Sequence, residues 1–217
     1  LEMSLKQVLE PFSPAPYSRA QHLCRKHLAA GTYTIRPNGV IDVEGSVDLN
    51  KFVEHGKLTV QFGSIKSLNV LRLDSVRTLQ GLPKSMLGTL LYVSSGFLES
   101  LEGGPETAGV MHVTAHFLKS LKGAPKTADS FTVVSSGLPS LVNVPTIVGA
   151  LNLLDCPSVK TTDGLKGVTT VDLHLPLSGS LKITELPNSC NALTVAACTG
   201  FGHLFRIPDL DVVHLGE

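Results

Sequence analysis

Short apolar–polar–apolar triplets recur along the chain every twenty residues. Within each triplet the first and third side chains are apolar, which is the alternation of a β-strand buried on one side. The triplets begin at Leu71, Leu91, Met111, Phe131, Leu151 and Val171. A fixed period of this length predicts a solenoid, in which each unit is one coil and the strands stack about 4.8 Å apart in a parallel sheet.

Two further signals follow the triplets in phase. A Leu-x-x-Leu segment predicts a corner that returns two leucines to the core, and a proline then stops regular structure. The pairs are Leu98 and Leu101, Leu118 and Leu121, and Leu138 and Leu141, followed by Pro105, Pro125 and Pro145. We expect the core to contain two buried ladders: Leu91, Met111, Phe131, Leu151 and Val171 against Val93, Val113, Val133, Leu153 and Leu173.

The two ends of the chain depart from this period. Ser18 is a candidate N-cap for a helix that runs to Ala30 and stops at Gly31. Asn38-Gly39 predicts a hairpin between the apolar segments 33–35 and 40–43. Segments 47–49 and 58–60 resemble irregular early coils. The twenty-residue register is expected to fail after residue 176, with a later coil at 193–195 and a closing strand at 212–215.

These elements predict one continuous domain with three parts. Residues 1–45 would form an N-terminal helical cap and hairpin, residues 46–192 the repeat solenoid, and residues 193–217 a C-terminal cap. Such caps are required because the end coils of a solenoid expose an open core and an open sheet edge. The fold class is a leucine-rich-repeat-like solenoid with an N-terminal α-helical cap.

Composition limits the classes of function. The chain has 217 residues, of which 42% are hydrophobic, so wholesale disorder is excluded. The 18 basic residues balance the 18 acidic ones, which argues against a general polyanion binder. No apolar run reaches the roughly 18 residues of a membrane span. The four cysteines form no CxxC pair, no N-x-S/T glycosylation sequon occurs, and residues 1–6 lack a signal-peptide layout. We therefore expect a cytoplasmic protein with reduced thiols.

The sequence shows no catalytic or cofactor-binding motif. Phosphate-loop, dinucleotide-binding, zinc-protease and nucleophile-elbow patterns are all missing, so we expect no enzyme, no cofactor and no metal site. His112 and His116 could chelate a metal, but no third ligand is evident. Asp172 and His174 lie on one strand too far from any nucleophile to form a triad.

The residues that alternate with the buried ladders should face solvent. The first outward column reads Arg72, Tyr92, His112, Thr132, Asn152 and Asp172, and the second reads Asp74, Ser94, Thr114, Val134, Leu154 and His174. Tyr and Arg are enriched at binding hot spots, and exposed apolar residues often mark partners. We predict a protein interface that includes Arg72, Tyr92, His112, Val134, Leu154 and Asp172. The plain alternative is an ordinary solvated sheet surface.

The repeats also resemble a known family. Residues 100–125 read Ser100-Leu101-Glu-Gly103-Gly-Pro105, then Met111-His-Val113, then Leu118-Lys-Ser-Leu121-Lys-Gly123-Ala-Pro125. A leader precedes them, with Tyr33 to Gly39, Ile41 to Gly45, Val47-Asp-Leu49 and Phe62-Gly63. Over residues 33–150 this pattern resembles the short leucine-rich-repeat proteins of tailed bacteriophages. The resemblance implies a phage origin and a binding role, and it transfers no catalytic residue.

One column departs from that family. The family usually places Asn after the strand, where its side chain hydrogen-bonds neighbouring coils. This chain has Gly96, His116, Ser136 and Cys156 there. The polar ladder is therefore expected to be incomplete.

Three functions remain open besides the least expected, an enzyme. The first is a non-catalytic protein-binding module that engages a host or phage protein in the cytoplasm of an infected bacterium. The second is a structural or self-assembling phage component, with homo-oligomers forming through a terminal solenoid edge. The third is a nucleic-acid binder that uses the basic N-terminal helix, which the neutral total charge argues against. No membrane partner is expected.

Overall fold

A computed structural model describes residues 14–29, 31–135, 137–175, 181–185, 187–196, 198–199 and 212–216. One helix comes first, α1 (Pro14–His27), and a 3₁₀ helix spans Leu49–Phe52. The strands are β1 (Tyr33–Ile35), β2 (Ile41–Glu44), β3 (Val53–Glu54), β4 (Lys57–Leu58), β5 (Phe62–Lys66), β6 (Val70–Asp74), β7 (Ser85–Ser94), β8 (Thr107–Thr114), β9 (Thr127–Val134), β10 (Ile147–Leu154), β11 (Thr169–Leu175), β12 (Leu181–Lys182), β13 (Ala192–Ala196), β14 (Cys198–Thr199) and β15 (Val212–Gly216).

The predicted solenoid is confirmed. Eight strands form one sheet in the order β15-β13-β11-β10-β9-β8-β7-β6, and every neighbouring pair is parallel. From β8 to β10 the register keeps the period of twenty, because Met111 lies beside Phe131 and Phe131 beside Leu151. The later coil and the closing strand expected from the sequence are β13 and β15. Outside this sheet, β12 pairs with β14 in parallel.

The period changes earlier than the sequence indicated. Leu151 pairs with Leu173, twenty-two residues later, and not with Val171. The expected burial of Val171 is therefore wrong, since 51% of this residue is exposed, while Leu173 and Leu175 continue the two buried ladders. The coil between β10 and β11 contains two additional residues, and an even number preserves the in–out alternation of the strand.

A second insertion of two residues lies in β7. Met86 pairs with Ala108, but Leu90 pairs with Val110, so β7 has two residues more than β8 between these points. The bulge leaves Leu87 62% exposed and places Gly88 at a φ of 69°. Bulges re-aim side chains, and this one changes the pairing offset between β7 and β8 from 22 residues at Met86 to 20 at Leu90. The period of twenty therefore runs from Leu71 on β6 to Leu151 on β10 and, after the two added residues, resumes from Leu173 to Leu193 and Val213. The expected failure of the register after residue 176 is wrong, because the single shift lies before β11.

The corners and return loops pack tightly against one another. The leucines of the three Leu-x-x-Leu segments are buried, as the sequence predicted. The turn after each segment needs a positive φ, which Gly103 and Gly123 supply in the first two turns and Asn143 adopts in the third. At Gly123 a side chain would also collide with the carbonyl group of Leu101 on the preceding coil. Glycine is therefore required there for two separate reasons.

Helix α1 covers the N-terminal end, but with other bounds than expected. It begins at Pro14, so Ser18 lies within it and is not the N-cap, and it ends at His27 instead of Ala30. Proline is tolerated in a first helical turn because its missing N–H is not needed there, which explains the earlier start. Ala20, Leu23 and Cys24 are buried.

The segment after the helix forms small sheets that lead into the solenoid. The hairpin predicted at Asn38-Gly39 is confirmed, since β1 and β2 are antiparallel, and β5 joins β2 in parallel. The expectation of early coils at 47–49 and 58–60 is wrong. Residue 49 begins the 3₁₀ helix, and β4 pairs antiparallel with β3. Asn50 then covers the edge of β6, because its Oδ1 accepts a 2.7 Å hydrogen bond from the backbone N–H of Asp74.

Candidate functional site

The solvent side of strands β6 to β11 forms one continuous surface, which we call the outward face. Its central column follows from strand register and reads Arg72, Tyr92, His112, Thr132, Asn152 and His174. A second column, two residues towards the carboxyl ends of the strands, reads Asp74, Ser94, Thr114, Val134 and Leu154. Because these side chains stand on hydrogen-bonded neighbouring strands, their relative positions are fixed by the backbone.

The first three predicted site residues lie side by side at one end of the face. The rings of Tyr92 and His112 stack with centroids 4.8 Å apart and an interplanar angle of 19°. Tyr92 is 40% exposed, and Arg72 is exposed on the strand before it. His112 Nε2 lies 3.2 Å from Thr114 Oγ1. Partial burial lowers the pKa of His112 below its usual 6.5, so the imidazole is neutral at pH 7.

Val134 and Leu154 are the apolar part of the predicted interface. They are direct neighbours on β9 and β10, and both are half-buried on the solvent side of the sheet. Beside them, Asn152 Nδ2 donates a 3.2 Å hydrogen bond to Thr132 Oγ1. The structure thus joins five of the six predicted residues in two adjacent columns.

Asp172 stands elsewhere on the face than the sequence placed it. It pairs with Ala150, and His174 takes the expected place beside Asn152. The cause is the two-residue insertion between β10 and β11. It places Asp172 two residues earlier along the sheet than a constant period of twenty predicts. Asp172 remains exposed and outward-facing, at the edge of the predicted patch.

The structure adds an aromatic group that the sequence reasoning missed. Phe97 and Phe117 follow β7 and β8 at the same corner of successive coils and are 53% and 63% exposed. The guanidinium carbon of Arg77 lies 5.0 Å from the centre of the Phe97 ring. We call these three residues the corner row. The sequence did contain a sign of this aromatic group: a Phe recurs directly before Leu98 and Leu118, at a position that does not contribute to the core.

A third column was also missed. Val70, Leu90 and Val110 are neighbours on β6, β7 and β8, two residues before the central column. Val70 is 43% exposed, and Leu87, which lies in the bulge three residues before Leu90, is 62% exposed. The first three coils therefore present more apolar surface than the sequence indicated.

The charged residues of the outward face and its corner have no ion-pair partner within the described residues. These residues are Arg72, Asp74 and Arg77 on the first coil and Asp155 and Asp172 on later coils, and all five are exposed. Asp74 Oδ2 accepts a 2.9 Å hydrogen bond from the neutral amide of Asn50. Charged side chains without a partner remain able to pair with another molecule.

Other chemistry gives no further site. In the described part of the chain, no three His, Cys, Asp or Glu side chains are placed to hold a metal ion. Cys24, Cys156 and Cys190 are buried free thiols, and burial raises the pKa of each to about 11. None of the described helices is both long and apolar enough to cross a membrane.

Comparisons of the chain with protein-family models, curated proteins and solved structures found no match in any of the three. What the protein does is therefore inferred from its own residues.

Proposed function

We propose that the protein is a non-catalytic protein-binding module whose outward face contacts the partner. One observation carries this proposal: Arg72, Tyr92 and His112 form an ordered row on three neighbouring strands, next to the apolar pair Val134 and Leu154. Arg and Tyr are the residue types that most often dominate binding energy at protein interfaces.

The physical advantage of such a face is rigidity. Strands β7 to β11 are hydrogen-bonded to a neighbouring strand on both sides and the edge strand β6 on one side, so binding orders little backbone and the entropic cost stays low. The Tyr92 ring is further restrained by its stack on His112. A pre-ordered aromatic ring contributes apolar area and a hydroxyl group for little loss of conformational freedom.

The corner row extends the same surface. Phe97 and Phe117 expose aromatic area beside Arg77, a combination that can receive apolar or acidic side chains. Isolated exposed aromatics need no explanation, but two in register on successive coils form a patch. The proposed interface therefore continues from the central column around the corner.

The resemblance to bacteriophage repeat proteins supports a more specific version. In that version the protein works in the cytoplasm of an infected bacterium and binds a host or phage protein. The buried cysteines are compatible with a reducing compartment, because thiols with a pKa of about 11 are scarcely ionised at pH 7.

The test compares the outward face with the return loops on the opposite side. A partner is captured from bacterial lysate with the whole chain as bait, and its affinity is measured by calorimetry. Tyr92→Ala and Leu154→Ala should each weaken binding by at least about 1 kcal/mol, or fivefold, as for typical hot spots. Lys119→Ala and Lys126→Ala are the matched controls and should change little. Melting temperatures of all four variants verify that they fold.

Loss of binding in the lysine variants, with unchanged affinity in the face variants, would place the interface on the return loops. The proposal would then be wrong, even with a partner in hand.

A further inference from the structure

Positive charge is concentrated at the N-terminal end of the protein. Residues 14–66, which we call the N-terminal segment, contain seven basic and four acidic residues, although the whole chain has no formal net charge. All four carboxylates are ion-paired inside the segment: Asp42 with Arg36, Glu44 with Lys66, Asp48 with Lys51, and Glu54 with Arg19. The other three cations, Arg25, Lys26 and Lys57, have no ion-pair partner among the described residues.

The solvent side of α1 carries two of these three cations. The helix contains three basic residues, two histidines and no acidic residue. His22, Arg25 and Lys26 are all exposed. Because residues three and four apart lie on the same side of a helix, His22 stands beside both cations. The exposed face of α1 is therefore basic along the second half of its length.

Helix stability explains only part of this pattern. The helix macrodipole favours cations in the last turn, which accounts for Arg25 and Lys26. It also favours carboxylates in the first turn, but α1 has none there and places Arg19 in the second turn. The beginning of the helix thus lacks negative charge where helix stability alone would favour it, and such an end attracts anions.

A further lysine acts on the end of the helix. Burial lowers the pKa of His27, and the positive charges of Lys26 and Lys51 lower it further, against the opposing effect of Asp48. The His27 ring packs edge-on against Phe52, with centroids 5.6 Å apart, which fixes the helix end on the 3₁₀ helix. Lys26 and Lys51 thus reinforce each other at one place.

A cavity of about 280 Å³ lies beside the first turns of α1. Pro16 and Arg19 of the helix and Lys57 of β4 line it, together with the carboxamides of Asn38 and Gln80. None of the described residues that line it carries a carboxylate. The cavity is smaller than the roughly 300–1,000 Å³ of small-molecule pockets, but it is ample for one phosphate group. Cations and amide N–H groups are the donors that phosphate oxygens accept from.

Tyr17 distinguishes a nucleic acid from an acidic protein as the occupant. It follows Pro16 in the first turn of α1 and is 37% exposed. Among the described residues, no aromatic or cation–π contact engages its ring. Exposed aromatic rings beside cations bind single strands, because bases stack on the rings while phosphates contact the cations. The 14 residues of α1 extend over about 21 Å, enough for several nucleotides.

We propose that the solvent face of α1, with the adjoining cavity, binds a single-stranded nucleic acid. Arg25, Lys26 and Lys57 hold phosphate groups, and Tyr17 stacks on a base. The neutral total charge of the chain does not oppose this inference, because the positive surplus is local. These residues are separate from the outward face, so the inference goes beyond the proposed function and does not rest on it.

The first test measures fluorescence anisotropy of a labelled twelve-nucleotide oligothymidylate with the full-length chain. The slope of log Kd against log salt concentration should be about two, because each of three neutralised phosphates contributes roughly 0.7. Arg25→Glu, Lys26→Glu and Lys57→Glu should each weaken binding at least about tenfold and lower the slope. Lys160→Glu is the matched control, since Lys160 is also exposed and has no ion pair among the described residues. It should change binding less than about twofold.

The second test separates stacking from charge. The probes are the same oligothymidylate and a twelve-unit strand with the same backbone but no bases. Tyr17→Ala should weaken binding of the oligothymidylate about fivefold or more and leave the abasic strand unaffected, because only the former can stack. Tyr17→Phe should retain binding. Melting temperatures show whether each variant is folded.

Absence of binding at about 100 μM protein in low salt, the weak limit of non-specific nucleic-acid binding, overturns the inference. Binding that the charge-reversal variants leave unchanged also overturns it. So does polyglutamate that competes as well as the oligothymidylate, because the surface would then suit acidic proteins.

The outcomes also separate this inference from the proposed function. If the oligothymidylate does not bind but Tyr92→Ala abolishes binding of a captured protein, only the inference is lost. If the α1 variants lose the oligothymidylate while the outward-face variants keep full affinity for a captured protein, the inference stands and the proposed function is wrong.

Discussion

The two sides of the solenoid differ in how their charges are satisfied. On the return loops, Glu106 lies 3.2 Å from Lys84 on the coil before it and 3.6 Å from Lys126 on the coil after it. Two further pairs join the same neighbouring coils: Glu99 with Lys119 and Glu102 with Lys122. On the outward face, Arg72 and Asp172 have no such partner among the described residues.

The paired charges of the return loops join neighbouring coils, whereas the unpaired charges of the outward face remain available to a partner. Three glutamates on one coil meet three lysines on the next, so the return loops pair their charges within the chain and favour one register of stacking. Such exposed pairs contribute little stability each. The outward face keeps unpaired charges on a rigid sheet, and the predictions below test whether the two sides are separable.

The largest effect is expected in the core between them. Leu153 points inward and is fully buried, whereas its neighbour Leu154 points outward. Leu153→Ala should lower the free energy of unfolding by about 2–5 kcal/mol, because it leaves a cavity that the stacked coils cannot fill. Leu154→Ala should cost much less. Chemical denaturation of the two variants measures both, and equal losses would show that the outward face also serves the core.

Cys156 tests how well the interior excludes reagents. Burial raises its pKa from the usual 9.0 to about 11, which reduces the thiolate fraction about 100-fold at neutral pH. Alkylation of Cys156 should therefore be at least that much slower in the native protein than in denaturant. Mass spectrometry of the labelled peptide follows the rate. A disulfide at Cys156 in protein purified from cytosol would contradict the expectation of reduced thiols.

Two glycines test how closely the return loops pack. Gly123 and Gly167 have nearly the same φ, 89° and 88°, so an alanine meets the same backbone strain at both. A Cβ at Gly123 would collide with the backbone of Leu101, while a Cβ at Gly167 would meet no atom within 4 Å. Gly123→Ala should therefore cost roughly 1–3 kcal/mol more than Gly167→Ala, as overpacking does. Thermal unfolding compares the two directly.

The smallest effect is expected at Glu106. Its hydrogen bond and ion pair with Lys84, and then Lys126, lower the pKa of its carboxyl group below the usual 4.5. A lowered pKa stabilises the folded state at pH values above 4.5, and this contribution disappears as the pH falls through the lowered pKa. Glu106→Gln should be slightly less stable than wild type at pH 7, with a difference that shrinks in high salt and vanishes in strong acid. Binding by the outward face should not change.

The sequence predicted the middle of the molecule well, for a clear physical reason. Between β8 and β10 every coil has the same length, so residues twenty apart are neighbours in space, and Met111, Phe131 and Leu151 stack as expected. The same logic placed Arg72, Tyr92 and His112 in one row. Local turn chemistry was equally informative at Asn38-Gly39, because a tight hairpin depends on adjacent residues alone.

The length of the coil between β10 and β11 and the start of α1 could not be predicted in this way. Two additional residues in a coil leave no mark in the alternation of apolar and polar positions, since an even insertion preserves it. Val171 and Leu173 are both apolar, and only their pairing with β10 shows which of them is buried. The start of α1 was missed because Pro14 and Pro16 indicate an extended segment when read without their helical context.

By itself, then, the sequence determined the architecture. A single coil of a repeat with inward apolar positions cannot bury its leucines, and stacking the coils buries them in one continuous core. Only the tertiary structure decided the details of the candidate site. It put Asp172 beside Ala150 and His174 beside Asn152, set Phe97 against Arg77, and paired the charges of the return loops while leaving those of the outward face unpaired. These contacts join residues on different coils, and loop lengths and packing alone determine which of them meet.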